Sequence, residues 1–182
     1  MKGILMVVSG PSGVGKGTLV KTLVKRRADV VESVSCTTRA PRAGEVHGRE
    51  YYFLTKEEFQ KRIAEGDFLE YDEHFGNFYG TPKSFVKEQL KEKSVILEID
   101  VVGALNAKKA FPQSVLVMIA PPSVEELERR LTGRGTETTA EIENRLARLE
   151  YELSQKDKYD KVIINDDFET ALKDLENILD NQ

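Results

Sequence analysis

A glycine-rich loop near the start of the chain combines the residue types that bind phosphate groups. Glycines let the backbone curl so that successive N–H groups point at one anion, and a helix that begins there adds the positive end of its dipole. Lys16 would reach the outer phosphates as a point charge. The residues that we expect around the phosphates are Gly10, Pro11, Ser12, Gly13, Val14, Gly15, Lys16, Gly17 and Thr18.

The loop matches the pattern G-x-x-x-x-G-K-[ST] as far as Lys16 and then departs from it. Gly17 stands where the pattern has Ser or Thr, so Thr18 offers the nearest hydroxyl group. We expect Thr18 to approach a magnesium ion, largely through water. A glycine-rich turn that binds no ligand is the alternative.

The segments on both sides of the loop argue against that alternative. Residues 4–8 are five apolar side chains in a row, which is typical of a strand buried on both faces inside a parallel sheet. After the loop, apolar residues recur at helical spacing from Leu19 to Val24. A strand, a glycine loop and a helix in this order are the context that a phosphate-binding loop requires.

A second set of candidate phosphate ligands lies further along the chain. Arg39 and Arg42 are three residues apart among prolines and glycines, and Tyr51 and Tyr79 fall in predicted strands. Guanidinium groups match phosphate oxygens bidentately, and tyrosine hydroxyls can complete the shell. The alternative is a surface loop with a solvated, arginine-rich face.

The remaining sequence alternates between predicted strands and helices, interrupted by one small insertion. The insertion has a predicted strand at 51–54, a helix at 56–65 and a hairpin over 68–79 that turns near Gly76. Outside it, strands are predicted at 30–35, 95–100, 115–120 and 162–164, and helices at 82–92, 101–110, from 125 onward, 142–158 and 168–179. We therefore predict an α/β fold, with a parallel sheet flanked by helices, right-handed crossovers and a small mixed or antiparallel insertion.

Composition narrows the class of protein. The 182 residues fit a single domain, and no apolar run approaches the roughly 18 residues that a membrane span needs. The net charge of −4 argues against nonspecific nucleic-acid binding. Cys36, the only cysteine, fits a reducing compartment and reads as a small buried core residue. With no secretory signal in the sequence, we expect a cytoplasmic protein without an obligate protein partner.

The insertion carries a family resemblance. It contains Thr37, Thr38, Arg39, Arg42, Glu45, Gly48, Tyr51, Phe53 and Leu54 at the spacing of the guanylate kinase signature. Similarity continues at residues 76–80, 97–100, 120–123, 133–137 and 165–167, so the chain resembles guanylate kinases over nearly its whole length. The resemblance implies a P-loop kinase core (1–35, 82–131 and 146–182), a GMP-binding subdomain (36–81) and a lid (132–145). It also implies transfer of a phosphoryl group from ATP to GMP with Mg²⁺.

The resemblance assigns residues to the acceptor nucleotide. Arg39, Arg42, Tyr51 and Tyr79 would hold the phosphate of GMP, with Glu45 nearby. Ser35, Glu70 and Thr81 would read guanine. Guanine presents two adjacent donors that one carboxylate can accept together, whereas adenine presents a bare acceptor at that edge. A buried polar site left unpaired can reject an analogue by roughly 10⁴-fold.

Glu98 and Asp100 fall at the end of a predicted strand, where α/β sheets place ligand groups. Alternate residues of a strand face the same side, so both carboxylates could point into one cleft. There they could order magnesium waters, steady the loop side chains or contact GMP, and we place both with the candidate GMP-binding residues. Solvated acids at a strand end are the alternative.

The resemblance also places residues at the donor nucleotide. Arg134 and Arg145 would contact the transferring phosphoryl group from the lid, and Arg130 would contact ATP. Asn165 would lie beside adenine, whereas Asp166 and Asp167 suit the start of the last helix. Two other functions remain open at this stage, a non-catalytic guanylate-kinase-like binding module and a related kinase for another phosphorylated acceptor.

Overall fold

The computed structural model describes residues 2–74, 76–132 and 149–181. The strands are β1 (Leu5–Ser9), β2 (Val30–Glu32), β3 (Cys36–Thr37), β4 (Tyr52–Phe53), β5 (Phe68–His74), β6 (Asn77–Pro82), β7 (Ser94–Glu98), β8 (Val115–Ala120) and β9 (Lys161–Ile164). The helices are α1 (Lys16–Arg26), α2 (Lys56–Ala64), α3 (Lys83–Gln89), α4 (Val101–Ala110), α5 (Val124–Thr132) and α6 (Phe168–Asp180).

The first sheet is parallel, with the strand order β2-β7-β1-β8-β9. Its central strand β1 is buried along its whole length, as the apolar run predicts. Side chains alternate between two cores: Met6 and Val8 face α1 and α6, whereas Leu5 and Val7 face α3 and α4. The predicted parallel sheet between layers of helices is therefore confirmed.

A second, mixed sheet has the order β4-β3-β6-β5. Strand β6 runs antiparallel to both neighbours, whereas β3 and β4 are parallel. Its small core stacks Phe59 on Phe68 with ring centroids 4.4 Å apart, and Phe59 on Phe78 at 5.4 Å. Cys36 is fully buried in this core, and burial raises the pKa of its thiol to about 11. This confirms that Cys36 is a core residue.

Most predicted elements are present, and the helix at 101–110 and the strand at 115–120 have the predicted bounds. The parallel strand predicted at 30–35 is present, but its predicted end is wrong, because the chain leaves the first sheet after Glu32 and joins the second at Cys36. The helix predicted to Lys158 is also wrong at its end, because the α-helix stops at residue 154 and a 3₁₀ turn follows over Lys156–Lys158. Its predicted start, at residues 142–148, lies outside the described residues.

Two acidic side chains cap the N-termini of helices. The carboxylate of Asp167 caps α6 by accepting the backbone N–H of Thr170 at 2.8 Å, as predicted. Asp100 caps α4 in the same way, accepting the N–H of Gly103 at 2.8 Å. Strand β7 therefore ends at Glu98, and the premise that Glu98 and Asp100 share one strand is wrong. Within the described ranges, no helix is long and apolar enough to cross a membrane.

Candidate active site

The phosphate-loop candidate joins β1, at the centre of the first sheet, to α1. The loop must leave the sheet close to β8, since a Cβ atom on Gly10 would lie 2.1 Å from the carbonyl oxygen of Ile119. Gly15 precedes the helix in a left-handed conformation, with φ of 96°. Glycine is thus required at both positions, and the start of α1 is aimed at the space above the loop.

A cavity of about 580 Å³ lies over this loop. Three lysines and one glutamate give its wall a net positive charge, which suits a polyphosphate. Thr18 is exposed there, so its hydroxyl is accessible to a ligand. The lining residues are Ser12, Gly13, Gly15, Lys16, Gly17, Thr18, Lys21, Thr22, Lys25 and Glu98.

Lys16 lies across the loop. Its ammonium group donates hydrogen bonds to the carbonyl oxygens of Gly10 at 2.6 Å and Pro11 at 2.9 Å. The positive charge is therefore held at the centre of the glycine loop, within the wall of the cavity. A phosphate group that enters the cavity meets this charge together with the N–H groups at the start of α1.

The arginine–tyrosine cluster forms on the second sheet. Arg39 donates from Nη2 to both carboxylate oxygens of Glu45, at 2.9 and 3.0 Å. Its guanidinium carbon lies 5.5 Å from the ring centroid of Tyr51, whose ring meets that of Tyr79 edge-on at 6.0 Å. Glu45 also accepts the backbone N–H of Arg42 at 2.7 Å, so one carboxylate orders both arginine positions.

Two effects shift pKa values in this cluster. The hydrogen bond between Arg39 and Glu45 raises the pKa of Arg39 and lowers the pKa of Glu45. Burial raises the pKa of the Tyr51 hydroxyl, with smaller contributions that include Glu98. Burial raises the pKa of Glu98 as well, and the nearby charge of Lys16 opposes that rise. The charge of Glu98 therefore acts on both the cluster and the cavity.

Glu70 is the most deeply buried candidate acid, with 7% of its surface exposed. It lies opposite Thr81 in the β5–β6 hairpin, and the Thr81 hydroxyl donates to its Oε1 at 2.6 Å. Burial raises the pKa of Glu70 to about 7; the nearby charge of Asp100 adds to the rise, and the Thr81 hydrogen bond opposes it. A buried carboxyl poised near neutrality is typical of a functional site.

Helix α4 closes the other side of Glu70. A Cβ atom on Gly103 would lie 3.2 Å from Oε2 of Glu70 and 3.3 Å from Oδ1 of Asp100. The absence of a side chain at Gly103 therefore lets the two acids approach the first turn of α4. Gly103 belongs to the site, and our interpretation of the sequence did not include it. A glycine inside a helix three residues after an acid was the available signal.

The family model for guanylate kinase matches residues 2–182 of this chain. The chain is 51% identical over 179 residues to a guanylate kinase of Clostridium perfringens strain SM101, covering 98% of this chain and 83% of the relative. It is 51% identical over 173 residues to a guanylate kinase of Synechocystis, with 94% and 91% covered. The chain belongs to the guanylate kinase family.

Solved structures agree with this assignment. A guanylate kinase from Anaplasma phagocytophilum superimposes with a TM-score of 0.81 at 37% identity, covering 98% of this chain and 85% of that one. A shikimate kinase from Bacteroides thetaiotaomicron superimposes with a TM-score of 0.53 at 15% identity, covering 97% and 98%, and shows the shared fold alone. Family membership supports the catalytic interpretation over the binding module and the kinase for another acceptor.

The remaining predicted residues divide into those that the structure places and those outside it. Asn165 is buried at the end of β9 and donates from Nδ2 to the carbonyl oxygen of Val14 at 2.7 Å, so it contacts the loop directly. Ser35 accepts the backbone N–H of Tyr52 through its carbonyl oxygen, between the two sheets. Arg134, Arg145 and nearly all of the predicted lid lie outside the described residues, as does the side chain of Arg130 in α5.

Proposed function

We propose that the protein transfers the γ-phosphoryl group of ATP to GMP, giving ADP and GDP. The observation that carries this proposal is a buried carboxylate, Glu70, in a chain that also holds a phosphate loop beneath a positively charged cavity. The first feature suits a guanine base, and the second suits the phosphates of a nucleoside triphosphate.

Guanine binding follows from the hydrogen-bonding capacity of Glu70. Its carboxylate offers about four lone-pair sites, of which the Thr81 hydroxyl uses one on Oε1. The remaining sites can accept the two adjacent donors of guanine, N1–H and the exocyclic amine. Ser35, Thr81 and Asp100 complete the base site in this proposal, and adenine would face Glu70 with a lone pair.

The acceptor phosphate belongs with Arg39, Arg42, Tyr51 and Tyr79. Since Glu45 bonds to the side chain of Arg39 and the backbone of Arg42, we assign it a positioning role in this phosphate site. Guanidinium groups held in a fixed orientation bind phosphate with less loss of side-chain entropy.

The donor triphosphate belongs in the cavity over residues 10–18, with Lys16 at its outer phosphates. The contact between Asn165 and the Val14 carbonyl puts this side chain at the edge of the loop, which is compatible with a role beside adenine. Arg130, Arg134 and Arg145 remain predicted ligands of ATP and of the transferring group. Phosphoryl transfer depends mainly on such positioning and on charge neutralisation, so no general base is required.

The cavity suits Mg²⁺, which prefers oxygen ligands and retains several waters. The exposed hydroxyl of Thr18 and the carboxylate of Glu98 both line the wall. When bound, the ion supplies positive charge that neutralises the phosphate oxygens during transfer. Thr18 would hold it largely through water.

A coupled assay of ADP release tests the proposed reaction. Purified protein is supplied with ATP and Mg²⁺ and with GMP, dGMP, AMP, CMP or UMP in turn. We expect GMP to be the best acceptor by at least about 10³-fold over AMP. Similar rates with AMP or with a pyrimidine nucleotide would refute the assignment of guanine to the Glu70 site. The division into core, GMP subdomain and lid, and the cytoplasmic location, stay predictions.

A further inference from the structure

A serine and a tyrosine share a hydrogen bond inside the protein, next to the start of the phosphate loop. The hydroxyl oxygens of Ser9 and Tyr159 lie 2.8 Å apart, and only 0% and 9% of the two residues are exposed. Ser9 is the last residue of β1, so the loop begins immediately after it. The bond therefore joins the entrance of the loop to the segment that precedes β9.

The surroundings of this pair are apolar. Ser9 continues the alternation of Leu5 and Val7 along β1, and Tyr159 lies in the same core as these residues and Met118 of β8. Burial raises the pKa of the Tyr159 hydroxyl to about 12, so the hydroxyl keeps its proton at neutral pH. A buried hydroxyl without a partner destabilises a fold, whereas alanine and phenylalanine would occupy these positions without needing one. Core packing alone therefore does not account for the two hydroxyls.

The hydrogen bond acts where the backbone turns out of the sheet. Gly10 follows Ser9 with φ of 137°, and a Cβ atom on it would lie 2.1 Å from the carbonyl oxygen of Ile119 in β8. The carbonyl oxygen of Gly10 accepts a hydrogen bond from the ammonium group of Lys16 at 2.6 Å. The direction of the chain after Ser9 therefore determines where the charge of Lys16 is held.

The other end of β9 contacts the same loop at a second point. Asn165 donates from Nδ2 to the carbonyl oxygen of Val14 at 2.7 Å, and a Cβ atom on Gly15 would lie 2.7 Å from the same nitrogen. Strand β8 separates β9 from β1 in the sheet, so both side chains reach past it. The segment from Tyr159 to Asn165 thus holds the loop at its entrance and again further along.

We propose that Tyr159 is a positioning residue for the phosphate loop, whose bond to Ser9 fixes the turn at Gly10 and so aligns Lys16 with the triphosphate. Tyr159 touches no substrate and acts only through Ser9. A charge that is held in place before the ligand arrives loses less side-chain entropy on binding. This inference rests on the proposed use of the loop for ATP.

Tyr159→Phe tests the proposal, because it removes the hydroxyl and keeps the ring. We expect the affinity for a nonhydrolysable ATP analogue, measured by calorimetry with Mg²⁺, to fall by roughly threefold to tenfold. In the coupled assay, kcat should fall by roughly tenfold or more, because Lys16 is less well aligned during transfer. Affinity for GMP alone should change by less than about twofold, since the loop belongs to the donor side of the reaction.

Tyr151→Phe is the matched control, because Tyr151 is a largely exposed tyrosine eight residues earlier in the chain. This variant should keep the wild-type affinities and kcat. Equal losses in Tyr151→Phe and Tyr159→Phe would overturn the proposal. An equal loss of GMP affinity in Tyr159→Phe would also overturn it, because the charge of Asp100 acts on Tyr159 and would then carry the effect to the acceptor site.

A double variant separates positioning from a merely structural role. Tyr159→Phe removes the bonding partner of the buried Ser9 hydroxyl and should lower the free energy of unfolding, measured by chemical denaturation. Ser9→Ala/Tyr159→Phe removes both hydroxyls and should regain much of that stability. We expect analogue affinity and kcat to stay low in the double variant, since the bond that fixes the turn is still missing. Recovery of affinity and kcat together with stability would overturn the proposal.

This inference and the proposed function fail in different ways. Tyr159→Phe with the wild-type affinity and kcat overturns the role of Tyr159 and leaves the proposed function intact. Wild-type protein that neither binds the analogue nor phosphorylates GMP overturns the proposed function as well.

Discussion

The hydroxyl of Thr81 donates to Oε1 of Glu70 at 2.6 Å across the β5–β6 hairpin, and both residues are buried. The two residues are paired by the strand register, which fixes the carboxylate within the second sheet. Helix α4 approaches from the other side through Gly103. The orientation of this acid is therefore determined by the scaffold before any base binds.

Replacing Glu70 by Gln should reduce discrimination between GMP and AMP. The amide has only one accepting head atom, so one guanine donor loses its charged acceptor at a cost of about 1.5–3 kcal/mol. For AMP, the amide N–H can donate to adenine N1, which removes a repulsion. Values of kcat/KM for both nucleotides measure the effect, and an unchanged ratio would mean that another residue reads the guanine edge.

Stability should fall as pH rises from about 4.5 to about 7, because burial raises the pKa of Glu70 to about 7 in the folded protein. The folded state then binds more protons than the unfolded state in this window, so the free energy of unfolding decreases with pH. The contribution of Glu70 is at most about 3 kcal/mol. Chemical denaturation of wild type and Glu70→Gln across this range measures it, since the variant lacks the titrating group.

Asp100→Asn provides a check on the cause of that shift. Asparagine is as good a helix cap as aspartate, so α4 should be retained. Removal of the Asp100 charge should lower the pKa of Glu70 and move the loss of stability to lower pH. A transition that stays in place would mean that the charge of Asp100 does not contribute to the raised pKa of Glu70.

Sequence patterns predicted those features that depend on local order along the chain. The apolar run before the loop, the helical spacing after it and the hairpin at Gly76 each involve residues close in sequence, so the parallel sheet and the inserted hairpin could be predicted. The break between Glu32 and Cys36 could not, because no glycine or proline marks it and only the tertiary structure assigns the two halves to different sheets.

Contacts between segments that are distant in sequence could not be predicted from local sequence patterns. Asn165 reaches the carbonyl of Val14 across 151 positions, and Glu98 reaches Gly17 because β7 pairs with β1. The sequence predicted Asp100 at the end of a strand, because apolar and acidic residues alternate as far as Asp100. In the structure the strand has already ended, and Asp100 caps α4 instead. The family signature indicated the site residues, and the structure supplies their partners.

Lys16→Met should leave the fold intact and reduce turnover severely. The substitution removes the charge that is held over the loop, and the barrier should rise by several kcal/mol if that charge stabilises the β- and γ-phosphates during transfer. Lys87→Met, on the exposed side of α3, controls for the loss of a lysine. The coupled assay measures both variants, and Lys16→Met activity within tenfold of wild type would refute the role of Lys16.

Glu45→Gln should weaken GMP binding without removing any group that touches the phosphate. The glutamate accepts both bonds from Nη2 of Arg39 and the backbone N–H of Arg42, so its charge orients the guanidinium group of Arg39 and holds the backbone at Arg42. Loss of this charge-assisted bonding should raise KM for GMP by roughly tenfold, with a smaller change in kcat and none in KM for ATP. Glu50→Gln is the matched control. Glu50 accepts hydrogen bonds from the side chain of Arg49 and the backbone N–H of Val46 on the same segment, but it contacts no candidate phosphate ligand in this way. Equal effects of the two substitutions would indicate general loosening of the segment and would contradict a specific role for Glu45 in orienting Arg39.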